Sequence, residues 1–237
     1  MTTSVNELST VVELFAAELY RILNDVLPSA NKNRDVQVYR SIHLETKGNN
    51  MIAVATDGYT MSVSRARVRF KKDADGGPAL GDLSFELDYE EAQALIRVAR
   101  TKKTHTGNRT VTISRIRMTD VRFQFLGPDG ETVKTVRPVE WDQYSNGYPD
   151  WRRLIPESKD GVARAVTGFD PDKLARFAHV EHVGVMQLVS HCDTNASTQK
   201  PWTVKIGENF IGLIMPVKIG GDYSADRWEA PDWLWVK

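Results

Sequence analysis

The chain has 237 residues, zero formal net charge, 41% hydrophobic and 26% charged side chains, proportions of an ordinary globular protein with one large or two small domains. Zero net charge argues against a protein that grips nucleic acid over its whole surface. A single cysteine, Cys192, excludes an internal disulfide, and with neither a cationic leader nor a membrane-length apolar run the chain reads as cytoplasmic, with no membrane partner.

Charge is nevertheless segregated. Residues 1–28 carry four acids against Arg21 alone, whereas residues 90–122 carry eight basic side chains against three acidic ones.

In chain order, residues 4–28, SVNELSTVVELFAAELYRILNDVLP, predict one long helix. Leu8, Val11, Val12, Phe15, Leu19, Ile22, Leu23 and Val26 recur at intervals of three and four, Ser4 and Glu7 fit a capping box, and Pro28 stops the helix. Residues 36–70 alternate in β-rich fashion and break at KGNN and DGYT, which predicts a meander of three strands. DGGPALGD, residues 75–82, is a loop. DLSFELD is a strand, and YEEAQALIRVAR a helix with Asp88 and Glu91 as its capping box. Residues 109–138 supply two or three further strands. YPDWRRLIPE, residues 148–157, has neither period; Pro149 and Pro156 make it a stiff extended connector. Beyond it, Asp170 and Pro171 open a helix as N-cap and N1, and VGVMQLVSH, PWTVKIG and NFIGLIMPVKI are strands.

The order helix-then-strands recurs three times, which implies an α+β fold of repeated helix plus antiparallel-sheet units. Two helices carry basic pairs three residues apart, Arg97 with Arg100 and Lys173 with Arg176, and residues so spaced share a face. For any single helix a solvated charged face is the simpler reading. Likewise TDGYT is an ordinary hairpin turn taken alone, and Met215 and Pro216 suffice to end a core strand.

Three stretches together resemble the bacterial sliding clamp, the β subunit of DNA polymerase III. IAVATDGYTMSV is similar to that family's strand and TDG turn in the middle domain, YPDWRRLIPE to its linker between middle and last domains, and GLIMPVKI to its closing MPM strand. The resemblance implies a processivity factor rather than an enzyme, a DNA-clamp-like fold shorter than the family's three domains, and a hydrophobic pocket for partner peptides. Carried across, Thr56, Gly58, Tyr59, Thr60 and Met61 form one wall, Pro149 and Leu154 the floor, and Leu213, Met215, Pro216, Val217 and Lys218 the other wall. It further implies sequence-independent contact with double-stranded DNA through Lys32, Arg34, Arg97, Arg100, Lys102, Lys103, Lys173 and Arg176, peptide partners on DNA polymerase and clamp loader, and a homo-oligomeric ring. Three protomers keep the family's six-domain circumference.

The implied division is a clamp-like domain at residues 1–147, the connector at 148–157, an abridged second clamp-like domain at 158–219 and a Trp-rich tail at 220–237. The match covers the middle domain and the second half of the last, and the first helix, with Glu7, Glu13, Glu18 and Asp25, is acidic where clamp helices facing DNA are basic. The tail holds Trp228, Trp233, Leu234 and Trp235, which either complete a short core or lie across the pocket.

Other chemistries find little support. His179, His182, His191, Cys192 and Asp193 lack zinc-fold spacing. Asp57 with His43, or Ser190 with His191, form no recognisable catalytic arrangement, and there is no P-loop, dinucleotide fingerprint or nucleophile elbow. No cofactor or metal is expected.

Overall fold

A computed structural model describes residues 10–33, 35–72, 82–100, 109–117, 119–140, 147–156, 166–180, 185–191, 200–218 and 224–225. The chain begins with β1 (Val11–Phe15) and α1 (Ala16–Val26), then α2 (Gln37–Arg40) and the meander β2 (Ile42–Lys47), β3 (Asn50–Thr56) and β4 (Thr60–Arg67). Next come β5 (Phe70–Lys72), β6 (Ser84–Leu87), α3 (Tyr89–Ala99) and a second meander, β7 (Thr110–Arg117), β8 (Asp120–Gly127) and β9 (Gly130–Val136). After a 3-10 turn at Trp151–Leu154 follow β10 (Val166–Thr167), α4 (Pro171–Ala175) with its 3-10 continuation Arg176–His179, β11 (Met186–Val189), β12 (Trp202–Ile206), β13 (Phe210–Ile214) and β14 (Ser224–Ala225).

Two large antiparallel sheets result, with β10 and β14 forming a separate two-stranded pair. One has five strands in the order β5-β1-β7-β8-β9, the other seven in the order β11-β12-β13-β4-β3-β2-β6. The seven-stranded sheet joins segments from both sides of the connector, because β13 pairs with β4 from Phe210↔Ser64 to Ile214↔Thr60. Chain before and after the connector therefore shares one sheet.

The main core lies between the sheets and under α1 and α3. Leu19, Ile22, Leu23 and Val26 of α1 and Ala92, Leu95 and Ala99 of α3 pack against Leu44, Met51 and Ala53 of one sheet and Ile113, Phe123 and Phe125 of the other. Phe85 meets Phe123 edge to face at 6.1 Å and ties β6 to β8. Phe177, Val204, Ile206, Phe210 and Ile214 form a smaller core under α4.

Three expectations need correction. The first helix does not start at Ser4: residues 11–15 are a strand, and residues 4–9 lie outside the described residues. Val12 and Leu14 are buried in alternation, and β1 is paired on both flanks, with β5 and β7. Its β-branched start and two sheet partners outweigh an apolar period that served helix and strand alike. Second, QVYR forms the short α2 rather than entering the strand meander. Third, Asp88 is the N-cap of α3 by position, but its side chain makes no cap bond and instead accepts from Arg40 Nε at 3.2 Å and Nη2 at 2.9 Å. An ionic partner displaces the capping box. The N-cap expected at Asp170 is present, its carboxylate accepting from Asp172 N at 2.9 Å with Pro171 at N1.

Candidate functional site

The turn between β3 and β4 is held by its own side chains. Asp57 Oδ1 accepts from Tyr59 N at 2.9 Å, Thr60 N at 2.7 Å and Thr60 Oγ1 at 3.1 Å. Thr56 Oγ1 donates to Thr60 O at 2.8 Å and accepts from Gly58 N at 3.1 Å. Gly58 stands at φ +85°, and a Cβ there would lie 2.8 Å from Tyr39 Oη. Only glycine suits both the angle and the space.

Asp57 is also an ionic hub. Its Oδ2 accepts from Lys173 Nζ at 3.0 Å and Arg176 Nη1 at 2.7 Å, although its side chain is only 1% exposed. Burial opposes ionisation of Asp57, but the amide of Thr60, then Lys173, the amide of Tyr59 and Arg176 outweigh it and hold the carboxyl well below the usual carboxylate range. Lys173 Nζ additionally sits 4.2 Å from the centre of the Tyr59 ring. Tyr59 itself is half exposed.

The connector lies against the other face of the same sheet. Ser62 and Ser64 of β4 face α1 and the turn after it, as Ser29 Oγ lies 2.7 Å from Ser62 Oγ and Ser64 donates to Asp25 at 2.7 Å. Met61 and Val63 therefore project the opposite way, where they pack with Val54, Leu213 and Trp151. Tyr148 stacks on His43 at 5.0 Å and donates to Val54 O at 3.3 Å. Arg152 pairs with Glu45 and lies 4.2 Å from the centre of the Trp151 ring. The indole Nε1 of Trp151 is buried and finds no acceptor among the described residues.

The third segment is the extension of β13. Leu213 opposes Met61, Met215 N donates to Tyr59 O at 2.9 Å, and Val217 N to Gly168 O at 2.9 Å. The turn, the connector and the β13 extension thus meet. Met61, Leu213 and Trp151 form a packed apolar bed in which each is under one-tenth exposed, whereas Tyr59, Leu154 and Val217 are exposed by 51%, 48% and 40%. Thr56, Thr60 and Pro216 are buried, Met215 is half-buried, and Pro149 and Lys218 are exposed. The arrangement is a shallow apolar surface with a backbone-rich border, suited to a short peptide.

The expected DNA-facing residues do not form one group. Lys32, Arg97 and Arg100 are exposed; Arg34, Lys102 and Lys103 lie outside the described residues. Lys173 and Arg176 turn to Asp57, a counter-ion whose place opposite them no local pattern reveals. Asp57 and His43 do not pair: His43 Nδ1 lies 2.8 Å from Glu86 and its Nε2 3.3 Å from Glu45. His191 Nε2 lies 2.8 Å from Thr203 Oγ1. His182, Cys192, Asp193 and the tail residues Trp228, Trp233, Leu234 and Trp235 lie outside the described residues. Among the described residues no three His, Cys, Asp or Glu side chains gather as metal ligands, and no helix is long and apolar enough to cross a membrane.

No protein-family model and no curated protein matches the sequence. Solved structures do match the fold. The DNA polymerase sliding clamp of Pseudomonas aeruginosa aligns with a TM-score of 0.67 at 12% identity, over 92% of this chain and 69% of its own. The clamp of Bacillus subtilis aligns at 0.64 and 12%, over 92% and 67%. The polymerase III β subunit of Thermotoga maritima aligns at 0.61 and 13%, over 93% and 68%. The chain therefore has the bacterial sliding-clamp fold, in a form about two-thirds the length of those chains.

Proposed function

We propose that this chain is a DNA polymerase processivity factor, a shortened sliding clamp that encircles double-stranded DNA and tethers polymerase and loader-type partners by peptides docked at the connector. The observation that carries the reading is the junction itself: Met61, Trp151 and Leu213, far apart in sequence, share one apolar bed beneath exposed Tyr59, Leu154 and Val217. The protein needs no catalytic group for this role. Arg97, Arg100 and Lys32 are its phosphate-facing cations among the described residues, acting without base readout.

Ring closure is supported by the sheet edges. Among the described strands β5 and β9 end the five-stranded sheet and β6 and β11 the seven-stranded one; of these β9 and β11 carry the exposed aliphatic side chains, Val133 on β9 and Leu188 and Val189 on β11. Head-to-tail pairing of β9 with the next protomer's β11 covers those two edges.

The test combines solution mass with retention on circular DNA. A multimer that stays on nicked circular DNA and leaves on linearisation is the expected result, with retention reduced in Arg97→Glu/Arg100→Glu. A monodisperse monomer at micromolar concentration sinks the ring. One observation favours a second reading, a clamp-like interaction module that binds partner peptides without encircling DNA: Lys173 and Arg176 are spent on Asp57. A monomer that still binds polymerase-derived peptides supports that reading.

A further inference from the structure

The segment SRARVRFKK, residues 64–72, contains five cations and no acid. Arg65 and Arg67 project from β4 on the face opposite its helix-facing serines, and successive side chains on one strand face stand about 6.7 Å apart. β13 runs out at Phe210, opposite Ser64, while β4 continues to Arg67. That step opens a cleft at the far end of β4 from the Asp57 turn, lined by Arg65, Arg67, Arg69, Asn50, Asn209 and Phe15.

Two of the three arginines there, Arg65 and Arg67, have no acidic partner among the described residues. Among the described residues Arg65 Nε donates to a neutral amide, Asn209 Oδ1, at 3.2 Å. Arg67 is exposed and has no ion pair among the described residues. Arg69 reaches Glu13 at 2.9 Å and stacks on Phe15 at 4.9 Å. Glu18, also at the cleft, is bound by Arg21 at 2.7 Å. A second ring, the exposed Phe70, follows Arg69 in sequence and lies under Lys72 at 5.0 Å.

We infer that this cleft binds single-stranded nucleic acid through its phosphodiester backbone. Arginine forks engage phosphate oxygens in pairs, a row at strand spacing suits successive phosphates of an extended strand, and the amides and rings offer contacts to bases without reading sequence. An acidic peptide would use the arginines and leave the rings idle. The site is separate from the peptide surface and from Arg97 and Arg100, and it does not depend on ring closure.

The test is fluorescence anisotropy with a labelled linear oligothymidylate of about 20 nucleotides, short enough that threading cannot retain it. Arg65→Gln/Arg67→Gln should weaken binding about tenfold and reduce the slope of log K against log salt by about 1.4, at about 0.7 per phosphate released. Arg67→Gln alone should lose about threefold, whereas Arg122→Gln, removing one exposed charge from β8, should lose nothing. The single variant decides the matter if the double one fails its thermal-melt control. Unchanged affinity and slope in Arg67→Gln and in a folded double variant overturn the inference. So does polyglutamate that binds equally well with the same dependence on Arg65 and Arg67, which would assign the cleft to an acidic protein, or a duplex that binds as tightly as the single strand.

Discussion

Asp57 carries more of the site than its one-residue footprint implies. A buried carboxylate without partners would be costly, yet here both oxygens are filled, one by the turn and one by Lys173 and Arg176. Removing its charge leaves two cations facing each other, so Asp57→Asn should destabilise the fold by about 2–4 kcal/mol at neutral pH in urea unfolding. The sign with pH follows from its depressed folded-state pKa. The stabilisation is fully present above the unfolded-state value, about 3.9, and is lost as pH falls toward the lower folded-state value. The wild-type advantage over Asp57→Asn should therefore narrow below about pH 4, and parallel stability curves would disprove this role. Gly58→Ala meets both a left-handed φ and Tyr39, so it should cost about 1 kcal/mol or more and lower peptide affinity with it. The turn was legible in the sequence because Thr56, Asp57, Gly58 and Thr60 make a local motif. Its counter-ions were not, since Lys173 and Arg176 stand 116 and 119 positions away and read equally well as a solvated face.

At the scale of elements, α4 is too short to hold itself in place, and Phe177 in its 3-10 continuation supplies the anchor. The Phe177 ring is fully buried, meets Phe210 edge to face at 6.1 Å, and occupies the space a Cβ on Gly212 would need, 2.5 Å from its Cε1. Phe177→Ala should therefore cost about 3–5 kcal/mol. Gly212→Ala should cost about 1–3 kcal/mol by overpacking the same contact. Both should also weaken peptide binding, because α4 carries Lys173 and the adjoining turn Arg176, the cations that steady Asp57. A thermal melt and a peptide titration on each variant check this; a destabilised protein with undiminished peptide affinity would uncouple α4 from the pocket. Period alone revealed α3 and the two meanders. It failed at β1, where the apolar spacing from Val11 to Val26 fits one helix and only pairing with β5 and β7 decides the boundary. The arginine row at residues 65–69 was visible as residues but not as a cleft, because its depth comes from where β13 stops.

For the whole molecule, one seven-stranded sheet runs through chain on both sides of the connector, and among the described strands the two sheets end in β5 and β9 and in β6 and β11. β5 is only three residues long and β6 is partly covered where Val139 N donates to Glu86 O at 2.9 Å, so β9 and β11 are the edges best placed to pair. Two edges of unlike sequence can be covered in two ways, each edge on its own copy or one edge on the other, and the two differ in symmetry. A self-paired β9 or β11 gives a closed dimer with the other edge still bare, whereas β9 on β11 repeats around a ring. Substituting lysine on one edge separates them, since a lysine on an edge opposes strand addition. Under head-to-tail pairing, Val133→Lys and Leu188→Lys should each be monomeric alone. Mixed, they should form a heterodimer and stop, because one intact β9, from Leu188→Lys, meets one intact β11, from Val133→Lys, and the β9 and β11 left over each carry the lysine. Under self-pairing of β11, Val133→Lys alone should still dimerise, and under self-pairing of β9 the same holds for Leu188→Lys. Light scattering on the two variants, separately and mixed, distinguishes the arrangements, and a homodimer of either variant would rule out the head-to-tail ring.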